Sequence, residues 1–393
     1  MAATDSCDRG ALSASEVTRY ARHLLLPEVG RTGQERLRTA RVLVVGAGGL
    51  GSPVLLYLAA AGVGTLGILD DDTVELTNLQ RQIVHGTSDV GRSKVASAAD
   101  RVADTNPHVD IVRHEERLTP ASAHRLLTAY DIVVDGADNF ATRYAVGAAA
   151  AELGIPHVWG SVYRFDGQVS VWAPPAGPCY ACVFPSPPPP ELAPSCSVGG
   201  VLGAVCASIG SVLATEVVKL ITGIGQPLIG RLLVHDALAM TWASVPVRRA
   251  RDCAVCRSRR PSAALDVGAD DGADEDGAAR SQPSTTPGDQ VPEISATDLA
   301  RALTGGALLL DVREQAERDI VAIPGGAPFP LADLRGGALP PMDPGAVVHV
   351  YCKSGSRSAE AVRLLRSAGV DAVSVRGGVL AWVAEVDPTL PTY

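Results

Sequence analysis

Several things this chain lacks narrow the field first. No Lys/Arg cluster is dense enough to track a phosphate backbone, and the net charge is −9, so no nucleic acid is expected as a partner. Met1 to Gly10 carries acids and no apolar leader core, and no long apolar run is free of charge. The most apolar stretch, Val201 to Ile221, is interrupted by Glu216 and Lys219. A cytoplasmic protein with no membrane partner is the expectation. The eight cysteines do not form a secreted disulfide framework, because six of them have spacings that suggest metal binding or reactivity. What is present is ample apolar material, 46% of 393 residues. That is too long a chain for one typical domain of about 100–200 residues, so two domains are expected.

Arg41-Val-Leu-Val-Val-Gly-Ala-Gly-Gly-Leu-Gly51 organises the first part of the chain. An apolar run ending in glycines and leading into the apolar segment Ser52 to Ala61 reads as strand, tight turn and helix N-terminus. Gly46, Gly48 and Gly51 fit G-x-G-x-x-G, and Gly49 lies inside it. Without Cβ atoms the turn can tighten, phosphate oxygens can approach backbone N–H groups, and helix can pack against strand. Asp70 follows the next predicted strand, 65–69, about 20 residues on, where a carboxylate reaches ribose hydroxyls. At this point a nicotinamide or flavin enzyme fits as well as an ATP user.

Strands and helices then alternate: strand 41–46, helix 52–61, strand 65–70, helix 92–104, strand 109–114, helix 120–128, strand 131–136, helix 141–153, strand 156–161. The pattern predicts an α/β fold, a Rossmann-like doubly wound sheet with ligands outside the carboxyl ends of its strands. The informative polar residues fall there: Asp70, Asp72, Asn78, Arg81, Gln82 and Asp138, with Lys94 at the start of a helix. Upstream, Ser13-Ala-Ser-Glu16 is a capping box opening a helix through Leu26, on which Arg22 reads as part of a solvated face. Strands are also expected at 167–173 and 231–236. Between them a proline-rich loop, 185–194, delivers Cys196 to a long apolar helix, 200–220, whose mouth can lower a thiol pKa.

Residues 261–292 turn to Asp, Glu, Gly, Ala, Ser and Pro, too poor in large apolar side chains to fold, and read as a flexible acidic linker. The α/β pattern restarts beyond it with strand 307–311, strand 346–351, helix 356–368 and strand 372–375. The chain therefore divides into 1–260, 261–292 and a smaller domain at 293–393. Two C-x-x-C pairs, Cys179/Cys182 and Cys253/Cys256, bring four thiolates together at the spacing of a closed structural zinc site, with two independent redox pairs as the alternative. Cys352-Lys-Ser-Gly-Ser-Arg-Ser358 lies between a buried strand and a helix. Loop N–H groups, a helix dipole, Lys353 and Arg357 there would stabilise a thiolate or an anionic persulfide.

In these motifs the first 260 residues resemble the MoeB/ThiF family, bacterial relatives of ubiquitin-activating enzymes. The resemblance rests on Arg19-Tyr-Ala-Arg-His23, Gly46-Ala-Gly-Gly-Leu-Gly51, Leu69-Asp-Asp-Asp-Thr-Val74, Asn78-Leu-Gln-Arg-Gln82, Gly91-Arg-Ser-Lys94, Asp135-Gly-Ala-Asp-Asn139 and the cysteine pairs. The last 100 residues resemble a rhodanese domain in Asp311-Val-Arg-Glu314, Ala322-Ile-Pro-Gly-Gly326, the Cys352 loop and Gly377-Gly-Val-Leu-Ala-Trp382. Ala322 stands where rhodaneses usually carry histidine. The fusion resembles MoeZ-type adenylyltransferase/sulfurtransferases. The resemblance implies ATP, magnesium and zinc as cofactors. Its substrate would be a small ubiquitin-like sulfur carrier ending in Gly-Gly, and its sulfur donor thiosulfate or a cysteine desulfurase. Asp70 and Asp72 would lie at the nucleotide, Asn78, Arg81 and Lys94 would neutralise its phosphates, and Asp138 would position magnesium. Arg22 would reach into the partner's site of a homodimer. Cys352 would carry the persulfide, and Cys196 would serve as a resolving thiol. An adenylation-only or scaffolding role in sulfur trafficking and a nicotinamide-dependent oxidoreductase are the rival readings.

Overall fold

The computed structural model describes residues 11–188, 200–257, 291–341 and 346–392. Cys196 and most of the acidic stretch 261–292 lie outside the described residues. The described chain forms two compact units, one of residues 32–257 and one of residues 12–31 together with 291–392.

The first unit is built on an eight-stranded sheet in the order β3-β2-β1-β4-β5-β6-β7-β8. Strands β1 (Arg41–Val45), β2 (Thr65–Leu69), β3 (Asp110–His114), β4 (Ile132–Asp135) and β5 (His157–Tyr163) run parallel; β6 (Asp166–Trp172), β7 (Arg231–Asp236) and β8 (Thr241–Pro246) continue antiparallel. The central strands read as unbroken apolar runs because helices cover both faces. Val42 and Val44 of β1 point to one face, into a cluster with Leu55 of α4 (Gly51–Ala61), Val95 of α5 (Lys94–Thr105) and Ile209 of α9 (Gly203–Thr222). Leu43 and Val45 point the other way, toward Leu127 of α6 (Pro120–Leu127) and Val146 of α7 (Phe140–Leu153). This two-residue alternation is what a pleated strand dictates. The strand order reverses between β1 and β4, and the crevice at their carboxyl ends is the position such sheets reserve for ligands.

Helix α9 is long and apolar enough to cross a membrane. It instead packs on the sheet and α4, and buries Glu216, whose carboxylate takes Lys219 Nζ at 2.5 Å and the Leu228 N–H at 2.7 Å. Strand β8 has no counterpart among the predicted elements. It is an edge strand with every residue exposed, so its sequence carries no burial alternation.

The second unit has a five-stranded parallel sheet, β11-β10-β12-β13-β9, formed by Ala327–Pro328, Leu308–Asp311, Val348–Tyr351, Ala372–Val375 and Glu293–Ile294. Around it lie α10 (Ala296–Thr304), α11 (Gln315–Ile320), α12 (Leu331–Arg335), α13 (Ser356–Ser367) and α14 (Gly378–Glu385). The helix predicted through Leu26 is interrupted at Tyr20 (φ −95°, ψ 12°) into α1 (Ala14–Arg19) and α2 (Ala21–Leu24). Its capping box forms as expected: Ser13 Oγ accepts the Glu16 N–H at 3.3 Å and Glu16 Oε2 accepts the Ser13 N–H at 2.9 Å. Segment 12–31, placed with the nucleotide domain by the sequence, packs in this second unit. The reason is apolar: Val17, Tyr20, Ala21 and Leu24 share a cluster with Ile320, Ile323, Tyr351, Val379 and Trp382.

Candidate active site

At the carboxyl end of β1 the glycine loop borders a cavity of about 640 Å³. Gly46, Gly48, Gly49, Asp70, Asp72, Arg81, Lys94 and Asp138 all line it. Gly51 does not, but its role is steric: a Cβ there would lie 1.8 Å from the Gly46 carbonyl oxygen, so only glycine lets α4 start against the loop. The Ala47 peptide is held at both ends. Its N–H donates to Asp70 Oδ2 at 2.8 Å, and its carbonyl meets His85 Nε2 at 2.9 Å. His85 Nδ1 is paired with Ser97 Oγ at 2.8 Å, and burial lowers the imidazole's proton affinity. The neutral ring with its proton on Nε2 satisfies both contacts.

Burial pushes the Asp70 carboxyl up, against the pull of Lys94 and of the Asp72 and Ala47 N–H groups. Lys94 is buried and pairs with Asp72 at 2.8 Å, so a cation stands ready at the cavity wall. Arg81 is braced by the Thr77 carbonyl at 3.1 Å. Asn78 is not among the lining residues; its Oδ1 closes its own turn on the Glu75 N–H. Arg22 belongs to the other unit, exposed on α2.

In the loop beside the glycine loop, Asp138 follows a second residue, Ala137, held in the same way. Ala137 N–H donates to buried Asp135 at 2.9 Å, while its carbonyl accepts from Arg143 Nε at 3.1 Å. Asn139 caps α7 by accepting the Thr142 N–H at 2.9 Å. His85 and Arg143 were not singled out from the sequence, and Gln82 was placed at the ligand edge without a role. Gln82 lines the cavity, is 4% exposed, and its Oε1 has no hydrogen-bond partner among the described residues. Arg143 was detectable as the sole charge in the first three turns of an otherwise apolar helix.

The two C-x-x-C pairs converge. Cys179 Sγ lies 3.6 Å from Cys182 and 3.5 Å from Cys253, and Cys182 lies 3.5 Å from Cys256. Tetrahedral zinc with Zn–S bonds of about 2.3 Å needs sulfurs roughly 3.8 Å apart, so the donor set fits that metal with a small expansion. Burial, with the adjacent thiols, raises the Cys179 pKa. Four thiolates in this space need a cation between them. Cys179, Cys182, Cys253 and Cys256 would supply a closed shell with no open position, a structural role.

In the second unit Cys352 follows β12, fully buried, with the Gly355 N–H donating to its sulfur at 3.2 Å. The N-terminus of α14 clasps the loop, Val379 N–H donating to the Cys352 carbonyl at 2.9 Å and Leu380 N–H to that of Lys353 at 3.2 Å. A Cβ on Gly378 would sit 2.3 Å from the Cys352 carbonyl oxygen, which accounts for the Gly377-Gly378 pair. Arg357, expected to face the sulfur, is held bidentately by Glu317 at 2.7 and 2.6 Å. Lys353 is kept below its ordinary pKa by burial, then by the charges of Arg22 and Arg357. Beneath the loop Arg313 and Asp311 form a completely buried pair at 2.6 Å, the guanidinium lying over Tyr351.

Residues 20–256 match the ThiF family and residues 295–385 the rhodanese-like domain. The chain is similar to a "Probable adenylyltransferase/sulfurtransferase MoeZ" of Mycobacterium tuberculosis, 47% identical over 98% of this chain and 97% of that one. It is 43% identical to "Adenylyltransferase and sulfurtransferase MOCS3" of Bos taurus, over 98% and 89%. A "Sulfur carrier protein adenylyltransferase" of Thermus thermophilus is 50% identical over 61% of this chain and 91% of that protein. Among solved structures, Escherichia coli MccB aligns at a TM-score of 0.55 with 21% identity, over 64% of this chain and 77% of that one; that likeness is one of fold.

Proposed function

Because the chain belongs to the ThiF family and carries a rhodanese-like domain behind it, we propose that it activates and then thiolates one small carrier protein. The carrier is a ubiquitin-like sulfur-carrier protein ending in Gly-Gly. Its terminal carboxylate attacks the α-phosphorus of ATP, the bond to the β-phosphate breaks, and pyrophosphate leaves an acyl-adenylate. Arg81 and Lys94 balance the charge that grows on the phosphates, and Asp70 takes the ribose. Magnesium, when bound, would neutralise the triphosphate, with Asp138 as its holder; a carboxylate suits so hard a cation. Rate comes from positioning and electrostatics, with no protein nucleophile in this half.

Cys352, carrying a sulfane sulfur from thiosulfate or a cysteine desulfurase, then attacks the activated carbonyl and displaces AMP. A second thiol, Cys196 or an external one, cleaves the resulting acyl disulfide and releases the thiocarboxylate. The disulfide left on Cys352 is reduced by an external thiol. A homodimer belongs to this reading, with Arg22 reaching into the partner's ATP site as the family resemblance implies. So does the cytoplasm, where thiols stay reduced. Carriers serving molybdenum cofactor, thiamine or cysteine synthesis all satisfy it.

The observation that carries the proposal is the presence in one chain of both a polar nucleotide cavity and a cradled cysteine. The test is intact mass of candidate Gly-Gly carriers incubated with the full chain, ATP, magnesium, thiosulfate and a reductant. A carboxylate oxygen replaced by sulfur adds about 16 mass units, and Cys352→Ala should abolish that gain while pyrophosphate release persists. Pyrophosphate release without any mass gain would reduce the function to adenylation.

A further inference from the structure

Two residues of adjacent loops, Ala47 and Ala137, each have both the N–H and the carbonyl held by side chains. The Ala47 grip explains itself, since it shapes the glycine loop. The Ala137 grip involves residues that nothing in the nucleotide reading requires. Asp135 is fully buried and spends Oδ1 on the Ala137 N–H and Oδ2 on His157 Nε2 at 3.2 Å. Arg143, 8% exposed, reaches back from the first turn of α7 to the Ala137 carbonyl, and its Nη2 donates to Ser161 Oγ at 3.2 Å. Its guanidinium is sandwiched between Phe140 and Trp159 at 5.2 and 5.8 Å, and no carboxylate lies within ion-pair distance of it among the described residues.

The charge of the guanidinium also acts on the Tyr180 hydroxyl, against the burial that raises its pKa. Tyr180 is the first residue of α8 (Tyr180–Val183), and its ring packs on Trp159 at 5.6 Å and Phe184 at 5.0 Å. A buried cation is costly unless it is well partnered. Here its hydrogen bonds go to one loop carbonyl and one strand hydroxyl, and aromatic rings lie against it. The residue immediately after Ala137 is Asp138.

We propose that Arg143 is a positioning residue for adenylation: through the Ala137 carbonyl it fixes the backbone that aims Asp138, and through Ser161 it fastens that loop to β5. The proposal rests on Asp138 acting at magnesium. Lysine cannot replace arginine here, because one ammonium cannot span the carbonyl and the serine while presenting a flat face to the neighbouring rings.

The test is ATP affinity of the full chain, by titration calorimetry, with excess magnesium and again with EDTA. Wild type is compared with Asp138→Asn, Arg143→Gln, Arg143→Lys and Ser161→Ala, with zinc content and melting temperature as folding controls. Magnesium should strengthen ATP binding to wild type about tenfold or more, the scale of a charge-assisted contact. Asp138→Asn should lose that gain, both Arg143 variants should lose most of it, and Ser161→Ala should lose part. In the Arg143 and Ser161 variants affinity in EDTA should stay within about twofold of wild type, which a general loosening of the site would not allow. If Arg143→Gln fails the folding controls, Ser161→Ala decides, since it removes one hydroxyl only. Full retention of the magnesium gain in the Arg143 and Ser161 variants, with Asp138→Asn losing it, overturns the proposal alone. Retention in Asp138→Asn overturns the role of Asp138 as well.

Discussion

The glycine loop allows one substitution to break the fold and its near neighbour to break only binding. In Gly51→Ala the new methyl would meet the Gly46 carbonyl oxygen at 1.8 Å and its carbon at 2.9 Å, both backbone atoms. The start of α4 has to retreat by roughly 1.2 Å to reach the closest tolerable contact, and such overpacking costs about 3 kcal/mol. For a unit of this size that lowers Tm by about 6–12 °C. In Gly48→Ala the methyl meets nothing nearer than Gln82 Nε2 at 3.7 Å, an ordinary contact, so stability should stay within about 0.5 kcal/mol. The same methyl occupies the wall that phosphates approach, and ATP affinity should fall by about tenfold or more. Scanning calorimetry of the full chain, with and without ATP, reads both effects. A Gly51→Ala protein melting with the wild type, or a Gly48→Ala protein binding ATP normally, would refute the assignment of steric and ligand roles within this loop.

Four further outcomes follow from the same structure. Arg313→Leu leaves buried Asp311 with only Arg318, at 3.1 Å, as an ion-pair partner and should cost about 3 kcal/mol, the low end for a buried pair that loses one member, read as a lowered denaturation midpoint of the full chain; an unchanged midpoint would contradict the buried pair. His85, held by burial below its ordinary 6.5, takes up its proton more readily unfolded than folded. Its contribution is therefore complete above that value and lost as pH falls toward the depressed folded one. The Tm advantage of wild type over His85→Asn should shrink between about pH 7 and about pH 5, and a constant gap would exclude the neutral, Ala47-bonded ring. Elemental analysis should find about one zinc per chain, released as acid protonates the thiolates, and Cys256→Ser should bind less; metal-free protein with normal stability would remove the zinc assignment. Lys94→Ala should weaken ATP binding with a Tm change under about 4 °C, because its partner Asp72 is largely exposed and such pairs contribute at most about 1 kcal/mol.

Local pattern alone located most of the first unit's strands and helices. In the second unit it located only the three central strands and one helix; the short edge strands and the helices α10, α11, α12 and α14 were not predicted. Arg41–Val45 and Ile132–Asp135 are strands because unbroken β-branched runs have no other place than a sheet covered on both faces. The glycine loop, the two C-x-x-C pairs and the Cys352 loop were legible because their chemistry needs fixed short spacings, and short spacings survive in sequence. The cysteine pairs do meet, over 74 residues of separation. What remained hidden depends on contacts between distant residues. Arg357 turns to Glu317, 40 residues away, because a carboxylate on α11 offers it two oxygens. Segment 12–31 packs with the second unit because Tyr20 and Leu24 find apolar partners there. Strand β8 is an exposed edge, which leaves no pattern to read. The grips on Ala47 and Ala137 are invisible in sequence for the same reason. Asp70, His85, Asp135 and Arg143 bind backbone atoms, which every residue has, so only the folding of β1, β4 and α7 against one another determines which peptide each one holds.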